Sequence, residues 1–139
     1  MLMKTIGAII AMLVVQFGGD YVLHEIVLKS SYDLTPQLWR SQDGMMHHFW
    51  AMIVGQILFA IGAVLIYQRG RENKAWLGQG IRFGILLAIV AVAPGVFITY
   101  AVQPIQHQLA LHWMLGDGLL AIIDGIVIAA ICQSSTVSA

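Results

Sequence analysis

Residues 47–67 read HHFWAMIVGQILFAIGAVLIY, an apolar run that contains no Asp, Glu, Lys or Arg. A helix rises about 1.5 Å per residue, so a run of this length crosses the hydrocarbon layer of a bilayer, which is about 30 Å thick. The run predicts a membrane-spanning helix over about residues 45–67, and the remainder of the chain is interpreted from it.

The order of tryptophan and glycine in this run occurs again near the carboxyl end of the chain. The spacing Trp-x4-Gly-x6-Gly is found in Trp50, Gly55 and Gly62 and in Trp113, Gly118 and Gly125. Glycines seven residues apart keep a small residue on one helix face, and small residues let helices approach closely in lipid. We therefore predict that the four glycines mediate helix packing and that the protein is built from two tandem helical hairpins.

The composition excludes a soluble globular domain. Of the 139 residues, 59% are hydrophobic and 10% are charged, whereas soluble domains carry about 25% charged residues. Seven basic and seven acidic residues cancel, so no net positive field attracts nucleic acid. A single cysteine excludes a disulfide or a metal site built from cysteines. The sequence contains no phosphate-binding glycine loop, nucleophile elbow or dinucleotide fingerprint, which predicts a protein that is not an enzyme by itself.

Hydropathy predicts an all-α, polytopic membrane protein with a single four-helix domain over residues 1–139. The spans cover about residues 5–28, 45–67, 83–102 and 109–131. The first resembles a signal peptide but lacks a small-x-small cleavage site, so it is interpreted as a span. The connection between the first two spans contains Pro36, Leu38 and Trp39, which indicate a short helix at the membrane interface. Pro94 lies in the middle of the third span and predicts a kink.

The basic residues predict how the bundle is oriented. Lys4 and the four basic residues of the loop over residues 68–82 lie on one side, while Lys29 and Arg40 lie on the other. Because positively charged connections stay in the cytoplasm, both termini are predicted to be cytoplasmic. Side chains near the span ends that are predicted to be interfacial anchors are Trp39, Arg40, Trp50 and Trp113.

The polar side chains of the spans collect toward the predicted periplasmic end of the bundle. Asp20 and Asp117 each lie eight residues inside a span, at a depth of about 12 Å. Gln56 lies slightly deeper, and Asp124 follows Asp117 by seven residues on the same face. A charged group that faces lipid is costly, so these groups are predicted to face the bundle interior. The five histidines, all predicted at this end, are His24, His47, His48, His107 and His112.

Three functions of these polar side chains remain open. In the first, the histidines bind a transition metal, haem iron or a quinone head group, and Asp20 orients His24, four residues later on the same face. In the second, the three aspartates and Gln56 carry a proton or a small cation through a dimer. In the third, the chain is a non-catalytic accessory or scaffold subunit that packs against itself or against other membrane subunits. Small size and glycine-lined faces favour the third function.

Several single positions resemble those of a group of small bacterial four-span proteins of unknown function. The matching positions are Asp20-x3-His24-x3-Leu28-x3-Tyr32, Leu38-Trp39-Arg40, the basic loop over residues 70–82 that leads to Arg82-Phe83-Gly84, and Tyr100-x3-Pro104, followed by a fourth span that begins with tryptophan. The resemblance implies a four-helix fold in the bacterial inner membrane. It implies no activity and no cofactor, but it draws attention to Asp20, His24 and Arg40 as parts of a site.

Overall fold

The computed structural model describes residues 2–133, which form helices joined by short connections. The α-helices are α1 (Leu2–Asp20), α2 (Lys29–Asp33), α3 (Gln42–Gly70), α4 (Trp76–Leu87), α5 (Ala93–Val102) and α6 (His107–Cys132). Two π-helical segments, Tyr21–Val27 and Ala88–Val92, continue α1 and join α4 to α5. The result is four long helices that are long and apolar enough to cross a membrane: Leu2–Val27, Gln42–Gly70, Trp76–Val102 and His107–Cys132.

The third long helix begins seven residues earlier than hydropathy predicts. The segment 76–82 contains two glycines and an arginine, a composition typical of a loop, yet α4 starts at Trp76. Glycine disfavours a helix by about 1 kcal/mol relative to alanine, but here Gly80 and Gly84 pack against the fourth long helix. This packing offsets the low helix propensity, and the loop predicted over residues 68–82 shrinks to residues 71–75.

Pro94 is accommodated by a π-helical turn. The segment Ala88–Val92 precedes the proline, and the Ala93 N–H donates to the Ala88 carbonyl, one residue further back than in an α-helix. A proline inside a regular α-helix clashes with the carbonyl four residues earlier, and a π-bulge changes the hydrogen-bond register at that point. The irregularity predicted at Pro94 therefore takes the form of a π-helical segment.

The fourth long helix is the centre of the packing. Its buried side chains include Ala121, Ile128 and Cys132, all at most 4% exposed. The closest approach joins it to the third long helix: a Cβ added at Gly80 would stand 2.8 Å from the Gly125 carbonyl oxygen. Gly80 and Gly84 form a small-x3-small pattern, which permits such close contact between helix backbones.

Three of the four glycines predicted to mediate packing have no such contact in the described part of the chain. A Cβ at Gly55, Gly62 or Gly118 would meet nothing within 4 Å, whereas one at Gly125 would overlap the backbone of the third long helix. The second long helix packs mainly through a different face, which buries Ala60, Val64 and other residues of its carboxyl half. The seven-residue spacing identified small residues but not the face that forms the contact.

The two ends of the bundle differ in charge. Lys4 Nζ donates to the Gln133 carbonyl at 2.6 Å, and Gln68 Nε2 donates to Thr5 Oγ1 at 2.8 Å, so the start of the first long helix meets the ends of the second and fourth. The charged residues at this basic end are Lys4, Arg69, Arg71, Glu72, Lys74 and Arg82. Those at the opposite, acidic end are Asp20, Glu25, Lys29, Asp33, Arg40, Asp43 and Asp117.

A cap covers the acidic end. It comprises residues 28–39, which contain α2 and a 3-10 turn at Pro36–Leu38, where a short interfacial helix is predicted. Leu28 is 2% exposed, and Leu38 and Trp39 pack against the buried cluster of Val96, Ile105 and Ala110. The cap is therefore held against the bundle by apolar contacts.

Candidate functional site

A polar cleft of about 490 Å³ opens between the long helices toward the acidic end. One wall is apolar and includes Phe59, Val92, Val96 and Leu120. The third long helix contributes the hydroxyl residue Thr99, and the other polar side chains that line the cleft are Gln16, Asp20, His24, Gln56, Asp117 and Asp124. The structure thus brings together the four carboxylate and amide groups singled out from the sequence.

Three of these residues form an Asp–His–Asp cluster. One ligand atom from each of Asp20, His24 and Asp117 lies within 4.8 Å of the other two, and His24 Nε2 lies 3.4 Å from Asp117 Oδ1. The three side chains are partly buried. Two helices therefore place one imidazole nitrogen and two carboxylates around a common point.

Asp20 does not orient His24 through the four-residue spacing predicted from the sequence, because each of the two side chains has another partner. The backbone from Tyr21 to Val27 is π-helical, so residues four apart no longer stand above one another as they do in an α-helix. Asp20 Oδ2 instead accepts a hydrogen bond of 2.6 Å from Gln56 Nε2. His24 faces Asp117, which lies on the fourth long helix.

Tyr32 in the cap sets the orientation of His24. Trp113 Nε1 donates to Tyr32 Oη at 2.7 Å, and the same oxygen lies 2.5 Å from His24 Nδ1. An indole N–H can only donate, so Tyr32 accepts from Trp113 and has its hydroxyl hydrogen available for His24 Nδ1. In the tautomer that accepts this hydrogen at Nδ1, the neutral imidazole carries its proton on Nε2, which faces Asp117.

The Tyr32 hydroxyl stays protonated at neutral pH. Burial, opposed by the Trp113 hydrogen bond and aided by the nearby carboxylates of Asp117 and Glu25, raises the pKa of Tyr32 to about 12. Trp39 packs edge-on to the Tyr32 ring with centroids 5.2 Å apart. Of the four predicted anchors, Trp39 and Trp113 are partly buried against each other and Tyr32, whereas Arg40 is exposed and Trp50 is 65% exposed.

Two unpaired polar atoms lie at the floor of the cleft. Asp124 is 1% exposed and Gln16 is 6% exposed, and their side chains interact with each other. Asp124 Oδ1 and Gln16 Oε1 nevertheless have no hydrogen-bond partner among residues 2–133. Buried polar atoms are almost always paired with protein or with water, so the floor of the cleft offers two oxygen atoms that can accept hydrogen bonds.

The cleft is closed toward the basic end. Toward the basic end, Met12 lies one helical turn from Gln16, and Ile128 lies one helical turn from Asp124. Both side chains are fully buried, as is that of Val64. These side chains belong to the apolar core that fills the middle of the bundle. Among the described residues, this apolar core therefore follows the polar side chains of the cleft beyond Asp124.

The structure does not bring the five histidines together, because only His24 lines the cleft. His48 Nδ1 lies 2.7 Å from the Gly44 carbonyl oxygen of its own helix, and the His107 ring packs edge-on to Tyr100. His47 and His112 are exposed. These four histidines lie near the amino-terminal ends of α3 and α6 and do not line the cleft. The spacing of residues in the sequence does not show how each helix is rotated about its axis.

Two residues of this site, Gln16 and Tyr32, are not predicted from the sequence to belong to it, although Tyr32 is one of the positions that carry the resemblance. Gln16 is a polar residue in an apolar helix four positions before Asp20, and that spacing is a signal visible in the sequence. Tyr32 lies in a connection, where only the folded cap brings it to His24. No local sequence pattern predicts the contact between Tyr32 and His24.

The fold and the site together define a bundle of four long apolar helices with a blind polar cleft. No described protein family, curated protein or solved structure matches the chain. The chemistry of the cleft therefore rests on its own side chains. An imidazole nitrogen and two carboxylates are a donor set that suits divalent cations of the first transition row.

Proposed function

We propose that the chain is a multi-pass protein of the bacterial inner membrane that binds a divalent transition-metal cation in its polar cleft, facing the periplasm. The observation that carries the proposal is the convergence of ligand atoms from Asp20, His24 and Asp117 within 4.8 Å. The buried, unpaired oxygens of Asp124 and Gln16 at the floor of the same cleft support a polar occupant independently.

The outer surface of the bundle supports placement in a membrane. The four long helices have 26 to 29 residues, or about 39 Å and more, which exceeds the hydrocarbon thickness of about 30 Å. Large apolar side chains such as Leu58, Leu86 and Val90 are more than half exposed. Lipid tails would cover this surface, and the basic end would lie in the cytoplasm, which directs the polar cleft outward.

The proposed cation binds His24 through Nε2. A metal takes the lone pair of a neutral imidazole nitrogen, so the single ring proton would move from Nε2 to Nδ1, where it would donate to Tyr32 Oη. The Tyr32 oxygen then accepts from both His24 and Trp113, which matches the two lone pairs of a hydroxyl oxygen. The two carboxylates of the cluster balance the charge of a divalent ion.

A metal titration tests the proposal. Detergent-purified protein is expected to bind one equivalent of Zn²⁺, with weaker binding of Mn²⁺ and Mg²⁺, which avoids imidazole. The affinity should fall as the pH decreases, because protons compete for the imidazole, and the binding heat should vary with the ionisation enthalpy of the buffer. Titration calorimetry measures both effects. If neither Zn²⁺ nor Mn²⁺ binds saturably, the proposal is wrong.

The variant Tyr32→Phe tests the role of the cap residue. The phenylalanine ring keeps the packing against Trp39 but removes the hydrogen-bond partner of His24 Nδ1. Loss of a hydrogen bond to a metal-ligating histidine lowers affinity about 10- to 100-fold, and we expect a loss in that range for Zn²⁺. Tyr21→Phe is the matched control, because Tyr21 is 62% exposed. An unchanged dissociation constant for Tyr32→Phe would contradict the assigned role.

The accessory-subunit function is a second proposal, and the open glycine face favours it. Gly55 and Gly62 lie on the second long helix with no neighbour within 4 Å among the described residues, although small residues in lipid commonly mark helix contacts. A second copy of the chain or another membrane subunit would cover this face. The metal titration separates the two proposals, since a subunit role requires no cation.

A further inference from the structure

A second cleft, of about 510 Å³, lies at the basic end of the bundle. We name it the basic cleft; it is formed by the start of the first long helix and the ends of the second and fourth. Its lining residues are Lys4, Leu65, Gln68, Arg69, Arg71, Cys132 and Gln133. Three of them are cationic and none is acidic, so the lining of the cleft carries net positive charge.

Two of the cations are held in place by the end of the fourth long helix. Lys4 Nζ donates to the Gln133 carbonyl oxygen, and Arg71 donates to the Cys132 carbonyl oxygen. Carbonyls at the carboxyl end of a helix carry partial negative charge, which favours these contacts. An ammonium has three N–H donors and a guanidinium has five, so each side chain keeps further donors for a ligand.

The positive charge of the cleft is not neutralised within the described part of the chain. Arg69 is exposed and has no ion-pair or hydrogen-bond partner among residues 2–133. The acidic residue nearest in sequence, Glu72, forms its ion pair with Lys74, and the Lys74 ammonium lowers the pKa of the Glu72 carboxyl. An anion from outside the described chain is therefore the complement of the basic cleft.

The chemistry of the lining selects a phosphate group. Arginine guanidinium groups bind phosphate oxygens through paired N–H donors, and a lysine adds a third positive charge. Leu65 forms an apolar wall of the cleft, and the exposed side chains of Ile61 and Leu58 continue that wall along the second long helix. A phosphate at one end of an apolar strip matches a phospholipid better than a soluble phosphate.

We propose that the basic cleft binds the phosphate group of an anionic phospholipid, whose acyl chain lies along the second long helix. Basic pockets between membrane helices on the cytoplasmic side are sites of this kind. The site is separated from the polar cleft by the apolar core, so it does not depend on the proposed cation binding. It would fix one lipid at the cytoplasmic end of the bundle.

The experiment compares three ligands of the detergent-purified full chain by native mass spectrometry and by thermal unfolding. They are phosphatidylglycerol, phosphatidylcholine with the same acyl chains, and inorganic phosphate at the same concentration. We expect one phosphatidylglycerol to bind about 10-fold more tightly than phosphatidylcholine, because each basic side chain contributes to retention of an anionic lipid. Inorganic phosphate should bind far more weakly, since it lacks the acyl contacts.

In the variants Arg69→Gln and Arg71→Gln, the affinity for phosphatidylglycerol is expected to fall close to the affinity for phosphatidylcholine. Arg69→Gln is the safer of the two for folding, since it removes no contact within the described residues. Arg82→Gln is the matched control, because Arg82 lies at the same end, is exposed and does not line the cleft. Equal binding of the two lipids by the native chain, or equal stabilisation by inorganic phosphate, would overturn the proposal.

Discussion

Replacing Asp117 by Asn is expected to lower the affinity for Zn²⁺ by more than about 100-fold, because loss of a ligand costs more than loss of a group that only supports one. The substitution keeps the size of the side chain and removes the charge that faces His24 Nε2 at 3.4 Å. The side chain of Asp117 is 29% exposed, so the fold should tolerate the amide. His24→Ala removes the nitrogen ligand and should have an effect of the same size.

Two control variants separate this site from exposed side chains that bind metals weakly. Asp33→Asn removes a carboxylate of the same end that is 66% exposed and pairs with Lys29. His47→Ala removes an exposed imidazole of the same end. Both should retain the native affinity in titration calorimetry. If Asp117→Asn and His24→Ala also retain it, the cation does not bind at the Asp–His–Asp cluster.

Replacing Gly84 by Val is expected to prevent normal packing of the third and fourth long helices. A Cβ at Gly84 would overlap the Ile122 Cα and the Ala121 carbonyl oxygen, which are backbone atoms that cannot rotate away. Overpacking of a core commonly costs about 1–3 kcal/mol, and a clash against backbone should reach the upper end of that range. Thermal unfolding in detergent, followed by circular dichroism, measures the loss.

The other glycines provide controls for this prediction. Gly62→Ala and Gly118→Ala place a methyl group where nothing lies within 4 Å among the described residues. Alanine favours a helix over glycine by about 1 kcal/mol, so these variants should unfold at the native temperature or slightly above it. The packing assigned to Gly84 would be wrong if Gly84→Ala proved as stable as Gly62→Ala.

The long apolar helices could be predicted from the sequence because their physical signal is local. The run over residues 47–67 lies entirely within α3, and length and apolarity alone identify it. The start of the third long helix could not be predicted from length and apolarity. It depends on Gly80 meeting Gly125, a tertiary contact that overrides the loop-like composition of the segment before Arg82.

The candidate site shows the same division between local and tertiary information. The rise per residue predicts that Asp20 and Asp117 lie at one depth, and the structure brings their carboxylates to one cluster with His24. The π-helical turn that separates Asp20 from His24 has no sequence signal of its own. The contact of Tyr32 with His24 likewise appears only once the cap has folded.

The two clefts enter the bundle from opposite ends, and the apolar block of Met12, Val64 and Ile128 stands between them. In the proposed orientation, the polar cleft is open to the periplasm, so a membrane voltage would fall mainly across this apolar block and the part of the bundle beyond it. A cation at the Asp–His–Asp cluster then lies outside most of the voltage drop. Its occupancy would follow the periplasmic metal concentration and acidity, and would respond little to the electrical state of the cell.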